Sequence, residues 1–217
     1  MPGLLLVRHA QSEWNATGRW QGWADPPLSA EGEDQARQAG LRLVAAEPFD
    51  LLVSSDLLRA RRTVELLAGT LELSTPRWIV NGLREYDVGE WSGLTRPQIE
   101  DRWPGRIARF AHHESEPPPG GESRQHFNAR VVETARQIAA RAAADGTDRM
   151  LIVAHGGVVR ALATAVGLPD LPVGHLGGYW GRHTEAGLFP TDRVSLLDQL
   201  GEHLVADAGE GAVEPVR

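Results

Sequence analysis

Two histidines follow runs that read as buried strands. His9 comes after Leu4-Leu5-Leu6-Val7-Arg8, and His155 after Met150-Leu151-Ile152-Val153-Ala154. A neutral imidazole is a competent nucleophile toward phosphorus, and a covalent intermediate divides one hard displacement into two easier ones. The transferring phosphoryl group carries charge on three oxygens, so it requires fixed donors around it. Arg8, Arg59 and His155 are the residue types that supply them, with backbone N–H groups at a helix start after His155. A leaving alkoxide needs a proton. Glu85 suits that role if its pKa is raised, and its carboxylate would then activate water; Asp87 and Glu90 are its rivals by residue type. No metal is required, because arginines neutralise the charge. Each assignment has a plainer competitor. Arg59 stands near Arg61 and Arg62 and reads equally as solvated surface, and His155 as a satisfied core histidine.

Such residues are useful only if strands and helices bring them together. Leu4 to Val7 and Met150 to Ala154 are short continuous apolar runs, as in strands buried on both faces of a parallel sheet. Asp50 to Ser54 reads as a further strand, and Trp78 to Val80 as a short one. Between them lie helical patterns. Ser29 is an N-cap with Glu31, Glu33 and Asp34 in the first turn, and Pro48 ends that helix. Leu57, Ala60, Val64 and Leu67 recur at helical spacing over about 57–68. A loop covers 83–93, and a short helix about 97–103. Pro117-Pro118-Pro119-Gly120-Gly121 is a rigid connector. Ser123 caps a long helix with Phe127, Val131, Ala135, Ile138 and Ala142 on its apolar stripe. Gly156-Gly157 breaks the strand before a helix over 158–166. The pattern weakens after Gly167, and 206–217 reads as a disordered tail.

Strands alternating with helices predict an α/β fold, a three-layer α/β/α sandwich with a mainly parallel central sheet. Ligands of such sheets bind at the carboxyl ends of the strands. Arg8-His9, Ser54-Ser55 and His155-Gly156 would all open on that edge. The 217 residues, 41% hydrophobic, suffice for one domain with a large core and are too few for two ordinary ones. The expectation is a single domain over 1–205, with a cap-like segment about 94–119.

Composition narrows the chemistry. There is no cysteine, which excludes disulfides, thiolate nucleophiles and Cys-based metal sites. The net charge of -7 argues against a nucleic-acid partner. Every basic residue is arginine, a side chain that grips phosphate through a planar fork of donors, although base composition of the genome accounts for the total. No apolar run approaches the roughly 20 residues needed to span a bilayer, and Met1 to Val7 is too short for a signal peptide. A cytoplasmic protein with no membrane partner is expected. His112-His113, Glu114 and His126 lack zinc-type spacing, so no metal is expected, and the remaining histidines read as ordinary. Trp20 and Trp23 flank the first motif and could border a pocket.

The block Leu6-Val7-Arg8-His9-Ala10-Gln11-Ser12-Glu13-Trp14-Asn15 resembles the signature of the histidine phosphatase superfamily, phosphoglycerate-mutase-like, branch 1. The resemblance continues through Gln21 to Gly32, Ser54 to Ala60 with Thr63, Leu83 to Trp91, Gly120 to Ser123, and Val153 to Gly156. It implies that His9 is transiently phosphorylated and that Glu85, rather than its neighbours, is the proton donor. It implies a catalytic set of His9, Glu85, Arg8, Arg59 and His155. The phosphate would be bound by Arg8, Asn15, Gln21, Gly22, Arg59, His155 and Gly156. Ala10 replaces the family's usual glycine, so the backbone there should not need a positive φ.

The family holds both phosphatases and cofactor-dependent phosphoglycerate mutases. Gln21 stands where mutases usually carry a small residue, and Gly157 where they usually carry asparagine. The 93–123 segment is short and lacks their arginine-bearing insertion. These features lean toward a phosphomonoesterase acting on a small phosphorylated metabolite without a cofactor. The chain is similar to glucosyl-3-phosphoglycerate and α-ribazole phosphatases. A mutase, and a catalytically silent phosphate-binding module, are the alternatives. The resemblance also admits a homodimer. Gly177 to Leu188 departs from the family pattern.

Overall fold

The computed structural model describes residues 3–44, 46, 48–111 and 116–197. The tail at 206–217 and the His112-His113-Glu114 group lie outside these residues. In chain order the elements are β1 (Leu4–Arg8), α1 (Glu13–Ala16), α2 (Ala30–Leu43), β2 (Leu51–Ser55), α3 (Leu58–Thr70) and β3 (Arg77–Val80). Then follow α4 (Arg96–Arg102), α5 (Arg106–Ala111), α6 (Arg124–Ala144), β4 (Met150–Ala154), α7 (Gly156–Ala165), β5 (Gly177–Thr184) and β6 (Gly187–Ser195). Short 3-10 turns occupy Asn81–Leu83, just ahead of the segment read as a loop, and Gly89–Trp91 within it.

One sheet runs β3-β2-β4-β1-β5-β6. The first four strands are parallel; β5 runs antiparallel to β1, and β6 to β5. Alternation of side chains across the sheet divides the core into two layers. Leu4, Leu6, Met150 and Ile152 face α6 and α7, packing with Val131, Ile138, Val158 and Leu162. Leu5, Val7, Leu151 and Val153 face α2 and α3, packing with Ala36, Ala39, Ala60, Val64 and Leu67. All eight strand side chains are fully buried. The expected three-layer α/β/α sandwich is therefore present.

The carboxyl ends of β1, β2 and β4 open on one edge, since these strands pair in parallel register. Arg8-His9 and His155-Gly156 meet there. Ser55 instead serves the turn into α3, accepting the Leu57 N–H at 3.3 Å.

Two boundaries differ from expectation, and two strands were not expected. The helix from Ser29 stops at Leu43, before Pro48 can act. Gly156 and Gly157 do not precede the last helix but form its first turn. β5 and β6 were hidden by composition. Glycine is a poor strand former, yet here the sheet demands it: a Cβ on Gly178 would lie 1.9 Å from the Leu6 carbonyl oxygen. Pro190 is tolerated because β6 is an edge strand.

Candidate active site

His9 is held by its backbone and by one ring nitrogen. Its N–H donates to the Ala154 carbonyl at 2.9 Å, which ties the end of β1 to the end of β4. Its Nδ1 lies 2.6 Å from the Ala10 carbonyl oxygen. A carbonyl only accepts, so Nδ1 carries the proton and Nε2 carries the lone pair. Nε2 is buried and makes no hydrogen bond among the described residues. That is the tautomer a nucleophilic imidazole needs. Ala10 is absent from the residues with positive φ, so alanine costs nothing there.

Burial keeps His9 neutral. Its pKa lies well below 6.5, first through desolvation and then through the charges of Arg59 and Arg8 and the neighbouring His155 and His175 rings. His155, the N-cap of α7, stands edge-on to His9 with ring centroids 5.2 Å apart. It is also fully buried and depressed in pKa, by desolvation and then by Arg59, Arg8 and Arg130.

Arg59 is not surface. It is fully buried. Its guanidinium donates to the Ala24 and Gly22 carbonyls at 2.8 and 2.9 Å. Thr63 ties α3 to the chain that leaves β1. Thr63 Oγ1 accepts the Ala10 N–H at 3.1 Å and donates to the Arg59 carbonyl at 2.7 Å. Leu57, the N-cap of α3, gives no side-chain cap; Asp25 Oδ1 supplies one from outside, accepting the Leu58 N–H at 2.6 Å. Gly22 needs to be glycine: φ is +52°, and a Cβ would lie 2.6 Å from a Val88 methyl.

Asn15 and Gln21 belong to one buried network. Asn15 Oδ1 accepts from the Ser12 N–H at 3.1 Å in a capping box on α1, and the single Ser12 hydroxyl proton is shared between Asn15 Oδ1 at 2.9 Å and Gln21 Oε1 at 2.8 Å. Asn15 Oδ1 is thereby engaged, which leaves the Asn15 NH₂ group as the donor.

Glu85 is tethered through both carboxylate oxygens. Oε1 accepts the Tyr86 N–H at 2.8 Å, and Oε2 accepts the Gly157 N–H at 3.0 Å. The carboxylate thus caps the N-terminus of α7, where the helix dipole favours negative charge. Behind it, Arg130 donates to the Gly82, Arg84 and Glu85 carbonyls and pairs with Glu122 at 2.5 Å. The Trp23 indole N–H donates to the Glu85 carbonyl at 2.8 Å. Trp23 therefore borders this region, whereas Trp20 is buried against Trp91 and Phe110 in the core. Asp87 and Glu90, the rival carboxylates, take no part in this arrangement. Asp87 Oδ1 accepts the Gly89 N–H at 3.0 Å, and Glu90 is exposed.

His175 was read from sequence as ordinary, and the structure corrects this. Its ring centroid is 6.3 Å from that of His9. No motif marks it; it lies after Gly167, where the sequence pattern carries least information. Arg8 links it to the site, donating to the Val173 carbonyl at 2.9 Å. His126, in contrast, is an exposed partner of Glu122 at 3.1 Å. No helix among the described residues is long and apolar enough to cross a membrane.

Known proteins place this geometry. The chain is 39% identical over 164 residues, 73% of its length and 78% of the relative's, to a protein of Methylocella silvestris named 2,3-bisphosphoglycerate-dependent phosphoglycerate mutase. Among solved structures it is similar to a mycobacterial glucosyl-3-phosphoglycerate phosphatase complexed with VO3. The two share 35% identity and a TM-score of 0.66, covering 78% of this chain and 83% of the other. A phosphoglycerate mutase of Bacillus anthracis, 22% identical, has the same fold with a TM-score of 0.73, covering 89% and 92%. The sequence pattern of the histidine phosphatase superfamily, branch 1, matches residues 4–177, and the chain belongs to that family.

Proposed function

We propose that the chain is a metal-independent phosphomonoesterase that hydrolyses a small phosphorylated metabolite through phosphohistidine at His9. The observation that carries the chemistry is the His9 tautomer: Nδ1–H is fixed on the Ala10 carbonyl and Nε2 is left open. Nε2 attacks phosphorus as the ester P–O bond breaks. Arg8, Arg59 and His155 meet the charge on the phosphoryl oxygens, aided by the Asn15 and Gln21 amides and the Gly156 N–H. The charge of the phosphate ester entering beside Glu85 favours proton uptake by its carboxylate, and the leaving alkoxide takes that proton. Water then attacks phosphorus as the P–N bond breaks, and its proton returns to Glu85. The sum is ester plus water giving alcohol plus phosphate, with His9 restored.

Water as acceptor is favoured by the surroundings of the carboxylate. A Cβ at Gly157 would lie 2.2 Å from Glu85 Oε1. The asparagine usual in mutases would therefore force this carboxylate aside, so the Glu85 seat belongs to a site built differently. In the cap-like segment, Arg106 donates to the Pro117 carbonyl and pairs with Glu116, and Arg124, at the start of α6, donates to the segment's Phe110 carbonyl. The mutase name carried by relatives such as that of M. silvestris favours the second reading, in which a phosphoglycerate hydroxyl replaces water. The test follows aryl phosphate and glucosyl-3-phosphoglycerate in chelator, alongside 3-phosphoglycerate with a bisphosphorylated primer. Release of inorganic phosphate without isomerisation is the expected result. Isomerisation much faster than phosphate release would overturn the reading in favour of the mutase.

A further inference from the structure

The loop 173–176, between α7 and β5, is fastened to the nucleophile's own strand from two sides. Arg8 donates through its guanidinium to the Val173 carbonyl at 2.9 Å, and its main-chain oxygen accepts the Leu176 N–H at 3.1 Å. Leu176 is fully buried with φ of +54°, in the left-handed region that a leucine rarely adopts. The Leu176 carbonyl in turn accepts the Leu196 N–H at 3.1 Å, locking the strained residue to the end of β6. Strain of this kind persists only where the surroundings over-determine it, and it collects at functional sites. The residue that precedes it is His175. That ring is tilted 45° to the His9 ring at 6.3 Å, near enough for both to touch one small group.

His155 and His175 approach His9 from different surroundings. His155 feels Arg59, Arg8 and Arg130, whereas His175 feels Arg8. His155 has no exposed surface; His175 is partly exposed. Desolvation and Arg8 lower the His175 pKa to about 2, so the ring stays neutral over the working pH range.

We propose that His175 is a substrate-contacting residue, a third imidazole at the open side of the phosphoryl pocket that donates a hydrogen bond to a non-bridging oxygen of the group held at His9. The proposal rests on His9 being the phosphoryl-accepting residue. It does not depend on whether water or a second hydroxyl is the final acceptor.

The test uses orthovanadate, an oxyanion that requires no turnover. Its affinity for the full chain is measured by calorimetry, together with kcat/KM on an aryl and an alkyl phosphate. His175→Ala should weaken orthovanadate binding about tenfold, the effect of losing one hydrogen bond to a charged group. It should lower kcat/KM on both esters by a similar factor, since the phosphoryl group is common to them. His175→Gln keeps an N–H donor and should recover part of both losses. Orthovanadate affinity unchanged in His175→Ala, with a native melting curve, would overturn the contact. So would a loss confined to one ester, which would place the ring against the leaving group instead. If His175→Ala does not fold, His175→Gln decides alone: orthovanadate affinity within threefold of the native chain supports the proposal, and any larger loss contradicts it. Failure of the native chain to bind orthovanadate would overturn the His9 pocket itself, and is thereby distinguished from failure of His175 alone.

Discussion

Gly157 and Glu85 fit one another closely: the Gly157 N–H donates to Glu85 Oε2 at 3.0 Å, and a Cβ on Gly157 would stand 2.2 Å from Oε1. The absence of a side chain at one residue therefore sets the position of the carboxylate of the other. Gly157→Ala must displace that carboxylate, because Phe127 closes the other direction at 3.2 Å from the same Cβ. The variant should lose much of the roughly 10²–10⁴-fold that a positioned general acid contributes. Steady-state kinetics on an alkyl phosphate checks this, and circular dichroism checks that the fold persists.

Glu85→Gln separates leaving groups. An aryl oxide departs with little help, whereas an alkoxide needs the proton. The variant should lose about 10²-fold or more on an alkyl phosphate and markedly less on an aryl one. Equal losses on both would count against Glu85 as the proton donor.

Much of this site is legible in the chain itself. His9 and His155 end apolar runs, and the parallel pairing of β1 with β4 brings them to one edge. Arg59 lies in the first turn of α3 on its buried face, where Ala60, Val64 and Leu67 already mark the inward side. The remainder depends on contacts far apart in sequence. Nothing local shows that Gly157 must lack a side chain; its reason is 72 residues away, at Glu85. β5 is disguised by Gly177, Gly178 and Gly181, the last two required by close approach of neighbouring backbone. With β5 hidden, His175 at its start could not be placed on the catalytic edge.

Arg130 and Glu122 form a nearly buried pair at 2.5 Å, with side-chain exposures of 16% and 7%. Removing one partner strands the other's charge, and such losses cost about 3–5 kcal/mol. Arg130→Met should destabilise the fold by this order in denaturant titration. It should also lower kcat, since Arg130 holds the Arg84 and Glu85 carbonyls. Stability lost with kcat unchanged would reduce Arg130 to a purely structural role.

The neutral histidines link stability to pH. His9 and His155 have folded pKa values well below 6.5, and His175 about 2. As pH falls below about 6.5, the unfolded chain takes up protons at these rings and the folded chain does not. Their contribution is complete above that pH and is lost progressively toward acid. Each histidine adds a slope approaching about 1.4 kcal/mol per pH unit in that window. Unfolding free energies of His155→Gln between pH 5 and 7 should be less steep than those of the native chain by that amount. Parallel curves would mean that His155 is not buried neutral.

The central claim is that phosphate passes through Nε2 of His9. The direct measurement is a rapid-quench experiment on the full chain in chelator, with an aryl phosphate labelled on phosphorus. Label should appear on the protein within the first turnover as an acid-labile, base-stable adduct, map to the peptide containing His9, and decay at a rate no slower than kcat. His9→Ala should show neither adduct nor turnover. Turnover in the native chain with no such adduct, or undiminished turnover in His9→Ala, would contradict the account.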